Sequence, residues 1–126
     1  MTLPQDGLLL RLFVGEADRQ DGKPLYEWLV LKAREEGLAG ATVLRGIMGF
    51  GAHSRLHTFR IERLSLDLPI VVEIVDVPEK IEAFLALIDP LVSEGLATLE
   101  KADVRFYRSR AGDPEPDRGL TDRQRT

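Results

Sequence analysis

The chain has 126 residues, 44% of them apolar and 30% charged, and its net charge of −4 excludes a generally basic nucleic-acid binder. The absence of Cys excludes a disulfide scaffold, a thiolate nucleophile and a Cys-based zinc or iron–sulfur site, and two His leave little for a metal centre. Met1–Gly7 carries no basic segment ahead of its apolar run, and that run is too short to span a membrane, so the expectation is a soluble cytoplasmic domain.

In chain order, Leu8–Val14 is apolar except for Arg11 and predicts a strand, and Gly15–Lys23 reads as a polar loop. Pro24 is expected in the first turn of a helix, with Glu27 near the positive end of its dipole. Leu25, Trp28, Leu29 and Ala33 recur at helical spacing, and Gly37-Leu38 predicts a Schellman stop. Ala41–Met48 predicts the second strand. In Phe59–Leu68, Phe59 and Ile61 share one parity while Leu64, Leu66 and Leu68 share the other, which a bulge or bend would reconcile before the Asp67-Leu68-Pro69 turn.

Ile70–Val77 predicts the next strand, and Pro78 opens a second helix whose inner face is Ile81, Phe84, Leu85, Ile88 and Val92. Pro90 predicts a kink there, or a restart capped by Asp89. Ala97–Tyr107 reads as the last strand. The remainder, Ser109–Thr126, has four positive and four negative charges and only Ala111 and Leu120 to bury, so it is expected to be a disordered tail. Both halves of residues 7–108 read strand, Pro-initiated helix, then Glu-Gly-Leu-Ala (Glu36–Ala39 and Glu94–Ala97). This weak duplication predicts an α+β, ferredoxin-like βαββαβ sandwich, one four-stranded antiparallel sheet with two helices on one face.

Two strands resist that scheme if the subunit stands alone. Leu8–Val14 and Ile70–Val75 are apolar at both parities, yet no third helix remains for the second face, so oligomerisation through the open face is expected. Arg11 and Glu73 are the only charges within these runs. Taking the strands as adjacent and parallel puts them at similar height, on the open face with Leu9, Phe13, Val71 and Val75. A salt bridge within or between subunits is the expectation.

Chemistry-bearing residues gather from Arg45 onward. Gly46, Gly49 and Gly51 match neither a Walker loop nor a Rossmann fingerprint. They suit a turn or bulge at a strand end, or a backbone that a small ligand can approach, with exposed amides for an anion. Arg45, Arg55, Arg60 and Arg63 against the single acid Glu62 make this segment +3, a patch sized for a small anion. His53 and His57 have the i, i+4 spacing of a zinc pair on a helix, but the Gly-rich flanks oppose a helix. No Ser has a nucleophile-elbow context, so no catalytic constellation emerges.

Gly22-Lys23-Pro24-Leu25-Tyr26-Glu27, Glu36–Gly46, Gly49-Phe50-Gly51, His57-Thr58, Leu64-Ser65, Asp67–Asp76 and Gly95–Glu100 together resemble the bacterial and archaeal domain of unknown function 190 family, a distant branch of the PII-like signalling proteins. The resemblance covers about Leu8 to Tyr107. It implies a ferredoxin-like subunit in a PII-like homotrimer, and PII proteins bind adenine nucleotides in clefts between subunits; the leading expectation is a non-enzymatic sensor that binds a small anion, such as an adenine nucleotide, in that cleft. Arg45, Gly46, Gly49, Phe50, Gly51 and Arg55 would line that cleft and His57 would orient the ligand. Arg11 and Glu73 would sit at the interface. The chain departs from true PII proteins in two places: about Gly49–Thr58 is short for their signalling loop, and Ser93–Ala97 replaces their phosphate loop. Relatives encoded with fluoride channels imply a membrane transporter or channel as the regulated partner. Two alternatives stay open: a CutA-like, metal-responsive trimer using His53 and His57, and an enzyme whose Glu16, Glu62 and His57 meet across subunits.

Overall fold

The computed structural model describes residues 5–51, 57–58 and 67–108. Strand β1 (Gln5–Gly15) leads through a polar loop to helix α1 (Leu25–Glu35) and strand β2 (Thr42–Arg45). Strand β3 (Pro69–Asp76), helix α2 (Pro78–Ile88) and strand β4 (Leu96–Val104) repeat the plan. The sheet order is β2-β3-β1-β4, and all its ladders are antiparallel. This is the α+β sandwich that the duplicated pattern predicts. Residues 59–66 of the Phe59–Leu68 stretch, where a bulge or bend is expected, and the expected disordered tail Ser109–Thr126 lie outside the described residues.

One expectation is corrected by this topology. β1 and β3 are neighbours but run antiparallel, not parallel. The α1 crossover returns the chain in β2 parallel to β1, and β3 pairs antiparallel with β2, so β3 must oppose β1. The register still sets Arg11 directly across from Glu73.

Although β3 is apolar at both parities, its burial alternates strictly along the strand. Ile70, Val72 and Ile74 join Leu10, Leu12 and Val14 of β1 against Leu25, Leu29 and Ala33 of α1 and Ile81, Phe84 and Ile88 of α2. Burying each such side chain contributes roughly 1.5–3 kcal/mol. Trp28 is only half-buried, because its indole N–H reaches out to Asp21 Oδ2 at 3.2 Å.

The helix ends follow local chemistry. Pro24 is the residue before the helix rather than part of its first turn. At the far end Gly37 adopts φ +79°, and the Leu38 and Gly37 amides donate to Ala33 and Arg34 carbonyls, completing the expected Schellman motif. Pro78 opens α2 as expected. Asp89 is the C-cap of α2 and keeps helical angles, and Asp89–Leu91 forms a 3-10 turn that prolongs the helix, so no new helix restarts from an Asp89 N-cap. A 3-10 turn absorbs Pro90, whose missing N–H and ring would break an α-helical turn. β2 is also shorter than expected, stopping at Arg45, and β4 ends at Val104. Beyond β4, the Tyr107 hydroxyl donates to the Ala39 carbonyl at 2.9 Å.

Asp76 is the one buried charged residue in the described core, 1% exposed. Its Oδ1 accepts from the Val77 amide at 2.6 Å and its Oδ2 from the Ala39 amide at 2.8 Å. It therefore ties the end of β3 to the start of α2 and to the α1–β2 connection. Charge-assisted bonds of this kind are worth about 1.5–3 kcal/mol, and their loss leaves buried amides unpaired. Asp76→Ala is expected to lower unfolding stability by about 2–4 kcal/mol in urea melts. A loss under about 0.5 kcal/mol, the size of an ordinary surface substitution, would mean that water replaces the carboxylate freely.

Candidate functional site

Three chain crossings converge at one end of the sheet: the exit of β1, the exit of β2 and the entry to β3. The turn after β1 is pinned by backbone and carboxylate contacts. The Gly15 amide donates to Asp18 Oδ2 at 2.9 Å, the Glu16 amide to the Leu68 carbonyl at 2.9 Å and the Ala17 amide to Asp67 Oδ1 at 2.8 Å. Two carboxylates are thus committed to the backbone. The third, Glu16, pairs through Oε2 with Nη2 of Arg45, the last residue of β2. Arg45 is half-exposed on its side chain, whereas Glu16 is largely covered and its Oε1 is buried without a hydrogen-bond partner among the described residues.

Gly46 follows, and its amide closes on the Pro69 carbonyl at 2.7 Å. A Cβ at Gly46 would stand 2.8 Å from Pro69 Cγ, and one at Gly49 would stand 3.0 Å from the same atom. The two glycines let the chain leaving β2 lie against the rigid ring of Pro69. Met48–Gly49 then pairs with His57–Thr58, with Gly49 opposite His57. This close approach also explains why β2 ends where it does.

Of the residues singled out in the sequence, the structure brings Arg45, Gly46 and Gly49 to one end of the sheet, with Phe50 and Gly51 continuing from them and the His57 backbone opposite Gly49. Ile47 and Phe50 are 77% and 75% exposed, and Met48 is exposed beside them. Arg55, His53 and Glu62 lie outside the described residues, as does the His57 side chain. Among the described residues no group of three His, Cys, Asp or Glu could hold a metal ion. Glu16 comes to Arg45 across 29 positions of sequence. No periodicity announces that contact, which exists only because β1 and β2 end side by side around β3.

The second notable feature is the open face of the sheet. Arg11 Nε donates to Glu73 Oε2 at 2.9 Å, and Nη1 reaches Glu100 Oε1 on β4 at 3.3 Å. The Glu73 hydrogen bond, and after it the field of Glu100, hold the Arg11 guanidinium above its ordinary pKa. Around this pair stand the half-exposed Leu9, Phe13, Val71 and Val75, with Leu44 and Leu96 exposed at the flanks. A separate groove of about 490 Å³ runs between α2 and β4, lined by Leu12, Leu85, Ile88, Asp89 and Leu96 among others. Its lining includes Gly95–Ala97, from the segment that stands in place of the PII phosphate loop, but not Arg45, Gly46, Gly49, Phe50 or Gly51.

The family model DUF190, described as "Uncharacterized ACR", matches residues 7–104. A UPF0166 protein of Aquifex aeolicus is 44% identical over 98 residues, covering 78% of this chain and 92% of that protein. A UPF0166 protein of Methanocaldococcus jannaschii is 33% identical over 101 residues, covering 79% of this chain and 91% of that protein. Among solved structures, CPII of Thiomonas intermedia K12, a nitrogen regulatory PII-like protein bound to ADP, AMP and bicarbonate, superposes with TM-score 0.58 at 17% identity, covering 78% of this chain and 87% of that one. The same protein bound to ADP and bicarbonate superposes with TM-score 0.56 at 16% identity and the same coverages. The fold is therefore PII-like. No helix among the described residues is long and apolar enough to cross a membrane.

If contact with Pro69 is what Gly46 is for, Gly46→Ala should destabilise the protein by about 1–3 kcal/mol, as overpacking does. Part of that loss should return in a Pro69→Ala background, measured by urea melts of the single and double variants. Strictly additive losses would mean that the chain after β2 simply yields.

Proposed function

Because the chain belongs to the domain of unknown function 190 family and has a PII-like fold, we propose that it is a non-enzymatic, PII-like regulatory protein that binds a small anionic ligand, an adenine nucleotide, in clefts between the subunits of a homotrimer. The observation that carries this reading is the junction at the end of β2. There the half-exposed cation of Arg45 stands directly before Gly46 and Gly49, which keep the backbone low against Pro69. A charged fork beside an accessible backbone suits a phosphate oxygen. CPII, whose fold this chain shares, is bound to ADP, AMP and bicarbonate. Gly51, Phe50, Arg55 and His57 are assigned to the same cleft.

The open face supports the assembly. Leaving Leu9, Phe13, Val71 and Val75 half-wet forfeits part of the roughly 1.5–3 kcal/mol that each would contribute on burial. A second and third copy cover that face, with Arg11 and Glu73 already satisfied within each subunit so that neither charge is buried alone. Ile47, Met48 and Phe50 give an apolar surface next to the ligand cleft, suited to a regulated partner. By family resemblance that partner is a membrane transporter or channel.

Sedimentation of the purified protein should show a trimer, and thermal melts should rise with ATP, ADP or AMP. A ligand at 100 times its dissociation constant stabilises by roughly 2.7 kcal/mol. Arg45→Ala with Arg55→Ala should abolish the rise while leaving circular dichroism unchanged. Nucleotide binding undiminished in that double variant would move the site elsewhere, and a monomer under all conditions would remove the shared cleft.

A further inference from the structure

Glu16 stands where the end of β1 meets the end of β2 and the start of β3. Asp18 and Asp67 already accept the backbone amides of the turn after β1, so Glu16 is not needed for the same task. Its side chain is only 16% exposed, yet its buried Oε1 has no hydrogen-bond partner among the described residues, and Oε2 is engaged by Arg45. Among the described residues Glu16 is also the one ion-pair partner of Arg45. The pair is thus unequal. Arg45 has further guanidinium donors and half its side chain in solvent, whereas Glu16 depends on Arg45 for its counter-charge. Taking Arg45 away leaves a covered carboxylate without its counter-charge, so only an anion that binds the guanidinium more strongly than Glu16 does can displace it.

We propose that Glu16 is an internal counter-ion that occupies Arg45 in the ligand-free subunit, so that an anionic ligand binds by exchanging with the Glu16 carboxylate. This rests on the reading that Arg45 belongs to the ligand cleft. Glu16 then sets both affinity and specificity. A weakly charged ligand does not compete with a carboxylate already in place, whereas a di- or triphosphate chain, with more charge and more acceptor oxygens, does. The exchange also has a structural consequence. Arg45 is bonded directly to the Gly46–Gly51 segment that carries Ile47, Met48 and Phe50. Moving its guanidinium from the β1 turn to the ligand alters the anchorage of that exposed apolar segment. The ligand's charge is thereby coupled to the surface that a partner would meet.

Titration calorimetry on the full chain tests this, with ADP and inorganic pyrophosphate as the charged probes and adenosine as the uncharged one. Glu16→Gln, nearly isosteric, should tighten ADP and pyrophosphate by about tenfold through loss of the competing charge and leave adenosine unchanged. The gain should vanish when Arg45→Ala is added. Glu16→Asp, which shortens the reach to Arg45, should move affinity in the same direction by less and guards against a folding defect in the first variant. A merely structural Glu16 would weaken or leave unchanged all three probes. Unchanged or weaker ADP and pyrophosphate binding by folded Glu16→Gln overturns the proposal, as does a gain that persists without Arg45. A parent that ignores ADP, with Glu16→Gln gaining pyrophosphate, would keep the counter-ion and sink the nucleotide reading. Equal ADP binding by parent and variant would do the reverse.

Discussion

Two strands that are apolar on both faces, and a chain with only two helices to cover them, constrain nearly everything else in this protein. α1 and α2 bury Leu10, Leu12, Val14, Ile70, Val72 and Ile74, and the opposite parity of the same strands remains half-wet. Hydrophobic burial is non-directional, so it does not say which face is covered. That choice is made by the strand pleat together with the two charges. Arg11 and Glu73 fall on one parity, and placing either under a helix would bury an ion beside Phe84 or Leu29. The sheet therefore presents its ion pair and its surplus apolar side chains on the same open surface, which is unusual for a free subunit and suited to covering by copies of itself.

The antiparallel register turns this constraint into a geometry. Because β3 runs against β1, Arg11 meets Glu73 directly across the ladder, and Glu100 arrives from the other neighbour to share the guanidinium. The same register brings the ends of β1 and β2 and the start of β3 together. Three carboxylates and one arginine meet there because three chain reversals meet there. Two of the acids stabilise the turn and the third faces Arg45. Site and scaffold are thus made by one topological fact, and the glycines against Pro69 allow the chain to leave that corner without steric conflict.

Legibility in the sequence followed the range of the interaction. Helix α1 and its Schellman stop, the Pro-opened helix α2 and the inner faces of both helices were readable, because periodicity and capping act within about one to four residues. The extra length assigned to β2 was not correct, and of the two outcomes expected at Pro90 the helix restart capped by Asp89 does not occur. β2 ends where Gly46 meets Pro69, 23 residues later, and Asp89 is held in a helical conformation by the 3-10 turn around Pro90. Asp76 reads in the sequence as an ordinary acid at a strand end. Only the fold reveals it as a buried tie between β3, α2 and the α1–β2 connection.

By itself the sequence determined the fold class, the inward parity of β1 and β3, the isolation of Arg11 and Glu73 within apolar strands, and the gathering of arginine and glycine after residue 44. Each is a matter of composition or of short-range spacing, which a single strand or helix expresses without reference to the rest of the chain. Tertiary structure alone decided the relative direction of β1 and β3, the inclusion of Glu100 in the Arg11 pair, the burial of Asp76 and the meeting of Glu16 with Arg45. These depend on which strand edges pair and in what register. That pairing is selected by the free energy of the whole assembled sheet, in which no local segment carries enough stabilisation to choose a partner on its own.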